Sequence, residues 1–146
     1  MKQEDKELLL KDLCARLPYG VKIKTSYNKM DEPIELRFVN PRNESFAIGS
    51  NFTLISGLDF DTYECKPYLF PLSSMTEEQK KFFKDRPIFL DSENEVVVKE
   101  DFFGNSRFTM LDDWMEVILW LVKNHFDYRN LIPKGMAIDC TNLNIY

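Results

Sequence analysis

The chain has 146 residues, of which 44% are apolar and 29% charged, and its 19 Lys and Arg against 24 Asp and Glu give a net charge of −5. These values are those of a single folded domain and leave too little chain for two ordinary ones. No apolar run approaches the roughly 20 residues of a membrane-spanning helix, and the charged N-terminus lacks the apolar core of a signal peptide, so we expect a cytoplasmic protein without membrane contact.

The first 45 residues predict a helix followed by a β-hairpin. Apolar residues at helical spacing indicate a helix over 4–17, with Asp12 among the charged residues on its solvent side. Apolar and polar residues then alternate over 19–27 and again over 34–38, which is the pattern of two half-buried strands. Antiparallel pairing of these strands would place three charged residues together on the solvent face: Lys22, Lys24 and Glu35.

The middle of the chain predicts short strands and one short helix. Strand patterns occur in four stretches: 46–48, 52–55, 89–90 and 96–98. Prolines keep the segment 66–72 extended, and a helix is predicted near 77–84. The start of that helix can be closed by either of two capping boxes: Ser74 with Glu77, or Thr76 with Gln79.

The strongest helical pattern lies over 111–125, where one continuous apolar stripe runs along the sequence. An acidic pair at 112–113 suits the N-terminal end of this helix. His125 would lie at its C-terminal end, where the helix dipole favours a cation.

Further apolar residues widen the surface of this helix beyond the stripe that a single core contact needs. Leu119 and Trp120 belong to this excess. The helix is therefore either the central core helix or part of an interface, and Leu119 and Trp120 are the interface candidates. After it, the tail is irregular, with one more short strand predicted over 136–138.

Several classes of chemistry are excluded by residue counts. Cys14, Cys65 and Cys140 are odd in number and far apart, which predicts neither a disulfide framework nor a zinc site. The single histidine, His125, excludes metal sites that need two, and five isolated glycines form no phosphate-binding loop. Scattered basic residues in an acidic chain argue against nucleic-acid binding. We therefore expect no metal and no cofactor, and the balance of evidence is against an enzyme.

Two segments, 66–76 and 125–135, mix aromatic, proline and charged residues in non-repetitive order. Five of their side chains could line a site for an anionic or planar ligand: Lys66, Tyr68, His125, Asp127 and Arg129. Arginine offers a fork for carboxylate or phosphate, and tyrosine offers a stacking face. In the alternative interpretation, the segments are rigid connectors in which Asp127 pairs with Arg129 or caps a turn.

Three stretches of the sequence, over 13–22, 66–78 and 120–138, carry a family resemblance. They contain the motifs LCARLPYGVK, KPYLFPLSSMTEE and HFDYRNLIPKGMAI. In these motifs the chain resembles a family of small uncharacterised proteins common in gut Bacteroidales genomes, their phages and other mobile elements. Because the stretches lie at the beginning, middle and end of the chain, the resemblance implies a shared fold over its whole length. It implies no activity.

Together these patterns predict an α+β fold, in which a small, mostly antiparallel sheet packs against helices 4–17 and 111–125, with a short helix near 77–84. With the resemblance, they suggest a non-enzymatic accessory protein of a phage or mobile element. Such a protein would bind another macromolecule, either another protein or a second copy of itself. The alternative is a small-ligand or nucleotide-binding protein with weak hydrolytic activity, using the five side chains named above.

Overall fold

The computed structural model describes residues 1–29, 31–50, 53–84, 86, 88–93, 95–98 and 107–146, with the backbone alone at 50, 89, 98 and 107–112. Its helices are α1 (Gln3–Arg16), α2 (Glu77–Lys80) and α3 (Arg107–Lys123). Its strands are β1 (Lys22–Thr25), β2 (Ile34–Asn40), β3 (Ser45–Ser50), β4 (Thr53–Asp59), β5 (Cys65–Leu69), β6 (Ile88–Leu90), β7 (Val96–Val98) and β8 (Ile138–Asp139).

The main sheet has the strand order β4-β3-β2-β1-β5-β8, and β6 pairs with β7 in a separate antiparallel hairpin. Neighbours in the main sheet run antiparallel except β5 and β8, which run parallel. Short connections between successive strands produce antiparallel neighbours. The predicted α+β fold with a mostly antiparallel sheet is confirmed, while the predicted strand start at Phe52 lies outside the described residues.

The predicted antiparallel β1–β2 hairpin is present, and Lys22 lies opposite Glu35. The charged side chains nevertheless find other partners than expected. Lys24 pairs with Asp31 at 2.8 Å, and Lys22 Nζ donates a hydrogen bond to the Ile145 carbonyl at 2.9 Å. The chain's last residues therefore lie against this side of the hairpin, which the strand pattern alone could not show.

Helix α1 packs on the main sheet through leucines spaced three and four residues apart. Leu9 and Leu13 are almost completely buried and Leu10 is nearly so. They share one apolar cluster with residues from four strands: Ile23, Leu36, Ile48 and Leu69. Burial of these leucines is the main force that fixes the helix on the sheet.

Helix α3 lies in a second apolar cluster. Val117 and Leu121 are fully buried there, against residues from the connecting segments and β6: Leu72, Met75, Phe83 and Ile88. The helix begins at Arg107, four residues before the predicted start, so the acidic pair at 112–113 lies in its second turn and that prediction was wrong. Acidic residues favour a helix N-terminus without determining where it is.

Helix α2 begins with one of the two predicted capping boxes. The Gln79 N–H donates to Thr76 Oγ1 at 3.2 Å, and the Thr76 N–H donates to Gln79 Oε1 at 2.9 Å. A 3₁₀ turn over Lys81–Phe83 continues the chain. Among the helices described, none combines the length and the apolar character that crossing a membrane requires.

Candidate functional site

The two segments singled out in the sequence lie side by side. The Phe70 N–H donates to the His125 carbonyl at 2.9 Å, and the Asp127 N–H donates to the Phe70 carbonyl at 2.8 Å. The bridge is parallel and extends the pairing of β5 beyond its last residue. The backbones of 66–76 and 125–135 are therefore joined directly.

The five predicted ligand side chains have different partners in the structure. Lys66 pairs with Glu64 at 2.7 Å. The Asp127 carboxylate accepts the N–H groups of Leu131 and Ile132 at 2.9 and 2.8 Å, so it caps the following turn. Five grooves formed by described residues each contain at most one of the five. The ligand site stays a prediction.

Tyr68 and His125 are both buried, but in different surroundings. Burial raises the pKa of the Tyr68 phenol. The His125 ring stacks on the Tyr146 ring, with centroids 3.7 Å apart and 7° between the planes. Burial, with a smaller effect from Arg16, lowers the pKa of His125 to about 4, so the imidazole is neutral at pH 7. His125 also lies two residues beyond α3 with φ of +60°, and the predicted dipole interaction of a charged imidazole was wrong.

A buried ion pair that sequence reasoning missed lies behind this segment. Asp12 and Arg16 are both fully buried, and the guanidinium donates to both carboxylate oxygens at 2.6 and 3.1 Å. Arg16 Nη2 also donates to the Phe126 carbonyl at 2.7 Å, which ties α1 to the chain that follows α3. Asp12 was expected to face solvent, and that prediction was wrong. Its carboxylate is buried together with its partner Arg16, one turn later in α1.

Arg129 lies at the outer side of this pair. Its Nε donates to Tyr128 Oη at 2.8 Å and lies 3.5 Å from Asp12 Oδ1. Its guanidinium carbon is 4.8 Å from the centre of the Tyr128 ring, within range of a cation–π contact. Asp12, Arg16 and Arg129 together carry one net positive charge, and Arg129 is the member that reaches the surface, with 28% of its side chain exposed.

The outer flank of α3 is an exposed apolar surface. Trp114, Met115 and Leu119 are 37%, 61% and 53% exposed. Together with Ile118, Tyr128 and Arg129 they line an open groove of about 450 Å³, which we call the α3 patch. Trp114 and Met115 were not among the predicted interface residues, although their i, i+4 spacing to Ile118 and Leu119 was visible in the sequence.

A second groove, of about 640 Å³, lies beside the patch. It is lined by residues of α1 and the β2–β3 turn together with Arg129: Gln3, Glu7, Leu10, Lys11, Cys14, Pro41 and Glu44. We call it the α1 groove. Arg129 lines both grooves, so it stands where the two surfaces meet.

The two predicted interface residues have different surroundings. Leu119 lies in the α3 patch. The Trp120 ring is stacked between Phe82, 4.6 Å away, and Phe126, 5.7 Å away, with planes within 11° of parallel. Trp120 is half-buried and packs within the second apolar cluster.

Comparisons with protein-family models, with curated proteins and with solved structures found no match. Within the described part of the chain, no three His, Cys, Asp or Glu side chains are grouped so that they could hold a metal ion.

Proposed function

We propose that this protein binds another protein through the α3 patch. The observation that carries the proposal is the division of α3 into two apolar faces. Val117 and Leu121 fill the protein's own core, while Met115 and Leu119, one turn apart, remain exposed. A helix that packs on one side needs a single apolar stripe, and a second one suggests a second contact.

The composition of the patch supports a protein as the occupant. Trp, Tyr, Met and Arg are the residue types most enriched in protein interfaces, and the patch contains one of each: Trp114, Tyr128, Met115 and Arg129. Its acidic neighbours are engaged elsewhere, because Glu116 pairs with Arg86 at 2.9 Å. The centre of the patch is therefore apolar with a cationic edge.

The edge of the patch is held in place before any partner arrives. Tyr128 and Arg129 hold each other through a hydrogen bond, and Arg129 lies near the buried Asp12. Side chains that are already ordered lose little conformational entropy on binding. This favours recognition of a defined shape over nonspecific adhesion.

Selection from a display library of random helical peptides tests the proposal. Peptides selected on the wild-type protein should bind the Leu119→Ser variant about tenfold or more weakly, as expected for an interface anchor. The matched control is Leu54→Ser, which removes a leucine on β4 that is even more exposed than Leu119 and should leave binding unchanged. Peptides that bind Leu119→Ser as tightly as they bind the wild-type protein would contradict the proposal.

Sedimentation of the protein alone separates another protein from a second copy as the occupant. The proposal expects a monomer over the accessible concentration range. A dimer that Leu119→Ser dissociates and Leu54→Ser does not would assign the patch to self-association and overturn the proposal.

A further inference from the structure

We infer that the partner presents an aspartate or glutamate side chain to Arg129, flanked by apolar side chains that enter the α3 patch on one side and the α1 groove on the other. The inference rests on the proposed function and specifies the chemistry of the partner. It follows from the position, the unused donors and the charge of Arg129.

The position of Arg129 makes it central to the whole surface. It is the residue shared by the linings of the two grooves. A segment that fills both grooves must therefore cross its guanidinium. Charged groups at the centre of an interface are desolvated on binding, so an arginine there needs an anionic partner.

The donors of Arg129 are mostly unused. Nε donates to Tyr128 Oη. Among the residues that the structure describes, neither terminal nitrogen of Arg129 has a hydrogen-bond acceptor within reach. The Tyr128 ring lies beside the guanidinium. The terminal nitrogens form the fork that binds a carboxylate through two parallel hydrogen bonds.

The charge of Arg129 is only partly compensated within the chain, by Asp12 at 3.5 Å. Asp12 is the nearby carboxylate, but Arg16 already holds it through two hydrogen bonds in the interior. Lys11, one of the residues that line the α1 groove, adds a second cation to this side, with Glu7 on the same groove as the opposing charge.

The other acidic residues nearby do not supply the missing partner. Glu44, on the α1 groove, pairs with Lys6, and Asp113 and Glu116 lie against Arg86. An acidic side chain from the partner therefore meets a cation whose one nearby carboxylate, that of Asp12, is shared with Arg16. This favours a helix with the order apolar, acidic, apolar on one face.

The test uses the peptides selected on the wild-type protein and a double-mutant cycle. The selected sequences should be enriched in Asp or Glu between apolar residues three or four positions away on either side. Changing that acid to Gln or Asn should weaken binding to the wild type about tenfold. The same change should cost less than about twofold on Arg129→Gln, because the interaction is already lost there.

Two control variants distinguish the effect of the Arg129 charge from the effect of its two-point hydrogen bonding and from the effect of the protein's general charge. Arg129→Lys keeps the cation and should recover only part of the affinity. Lys29→Gln removes an exposed charge from the β1–β2 turn and should leave affinity unchanged. Thermal melting of each variant verifies that it is folded before binding is measured.

The outcomes distinguish this inference from the proposed function. Peptides that lose affinity on Leu119→Ser, but carry no acidic preference or bind Arg129→Gln normally, would overturn the inference and leave the proposed function standing. Peptides that depend on a free terminal carboxylate in place of an internal acid would also overturn it. Peptides insensitive to Leu119→Ser would overturn the proposed function itself.

Discussion

Asp12 and Arg16 form a two-point ion pair, at 2.6 and 3.1 Å, in which neither side chain reaches solvent. The two residues are one helical turn apart, on the side of α1 that also carries its buried leucines. Through the Phe126 carbonyl and the neighbouring Arg129, the pair connects α1 to the segment that follows α3. The same pair therefore supports the edge of the proposed binding surface.

Removing the acid of this pair should destabilise the protein strongly. In Asp12→Asn, the Arg16 charge stays buried without its counterion, and the free energy of unfolding should fall by about 3 kcal/mol or more. Urea denaturation measures the change. Glu7→Gln, on the exposed side of the same helix, serves as the control and should change stability by less than about 0.5 kcal/mol.

Replacing both members tests whether the cost comes from the isolated charge. The double variant Asp12→Leu with Arg16→Met should be much more stable than Asp12→Asn, because it leaves no buried ion. If Asp12→Asn were as stable as the wild type, the pair would not be buried in solution.

Stability should depend on pH through His125. The pKa of this side chain is about 4 in the folded protein against an ordinary value of 6.5. Between these values the unfolded chain binds a proton that the folded protein does not, so the free energy of unfolding falls as the pH is lowered from 6.5 towards 4. The loss amounts to at most about 3 kcal/mol.

The matched variant for this pH dependence is His125→Asn, because asparagine tolerates the positive φ at this position. Urea denaturation from pH 7 to pH 4 should give a flatter profile for the variant than for the wild type. Parallel profiles would contradict the assignment of a neutral, buried imidazole.

Removing the Tyr146 ring should raise the pKa of His125 towards 6.5, because the imidazole would then be solvated. Tyr146→Ala should show this shift in an NMR titration. Tyr146→Phe keeps the ring and loses the hydroxyl, which bridges the Lys22 N–H and the Tyr68 carbonyl at 3.1 and 2.9 Å. It should leave the pKa low and cost about 1 kcal/mol of stability. Equal pKa values in all three proteins would show that the stack is absent.

Truncating the adjacent α3 residues Leu119 and Trp120 should change the free energy of unfolding by very different amounts. Trp120→Ala empties the space between Phe82 and Phe126 and should lower the free energy of unfolding by about 3 kcal/mol. Leu119→Ala should change it by less than about 0.5 kcal/mol, because its side chain is largely exposed. Chemical denaturation of the two variants checks this. A large loss of stability in Leu119→Ala would place Leu119 in the core and remove it from the patch.

Local patterns predicted most of the elements. The leucine spacing of α1, the alternation in β1, and the Thr76–Gln79 capping box each depend on residues close together in sequence, and each was confirmed. The alternation predicted over 34–38 holds only as far as Leu36, because a β-bulge follows it and leaves Phe38 exposed. The start of α3 was not confirmed, because the acidic pair at 112–113 is compatible with more than one starting point.

The candidate site was harder to predict because long-range contacts form it. Asp12 looks like a solvent-facing acid until Arg16 and the Phe126 carbonyl are placed beside it. The burial of His125 depends on Tyr146, 21 positions later in the sequence. The excess apolar surface of α3 could be identified from its sequence, but which part of it faces outward depends on how the helix packs.

Binding at the α3 patch can be tested directly by an NMR titration of the methyl-labelled protein with a selected peptide. If the peptide binds the α3 patch, the largest shifts fall on the methyl groups of Met115, Ile118 and Leu119, together with the Arg129 side-chain N–H. Leu54 on β4 should remain unshifted at saturation. Shifts centred on Leu54, with the α3 methyl groups unchanged, would contradict the assignment of the α3 patch as the binding surface.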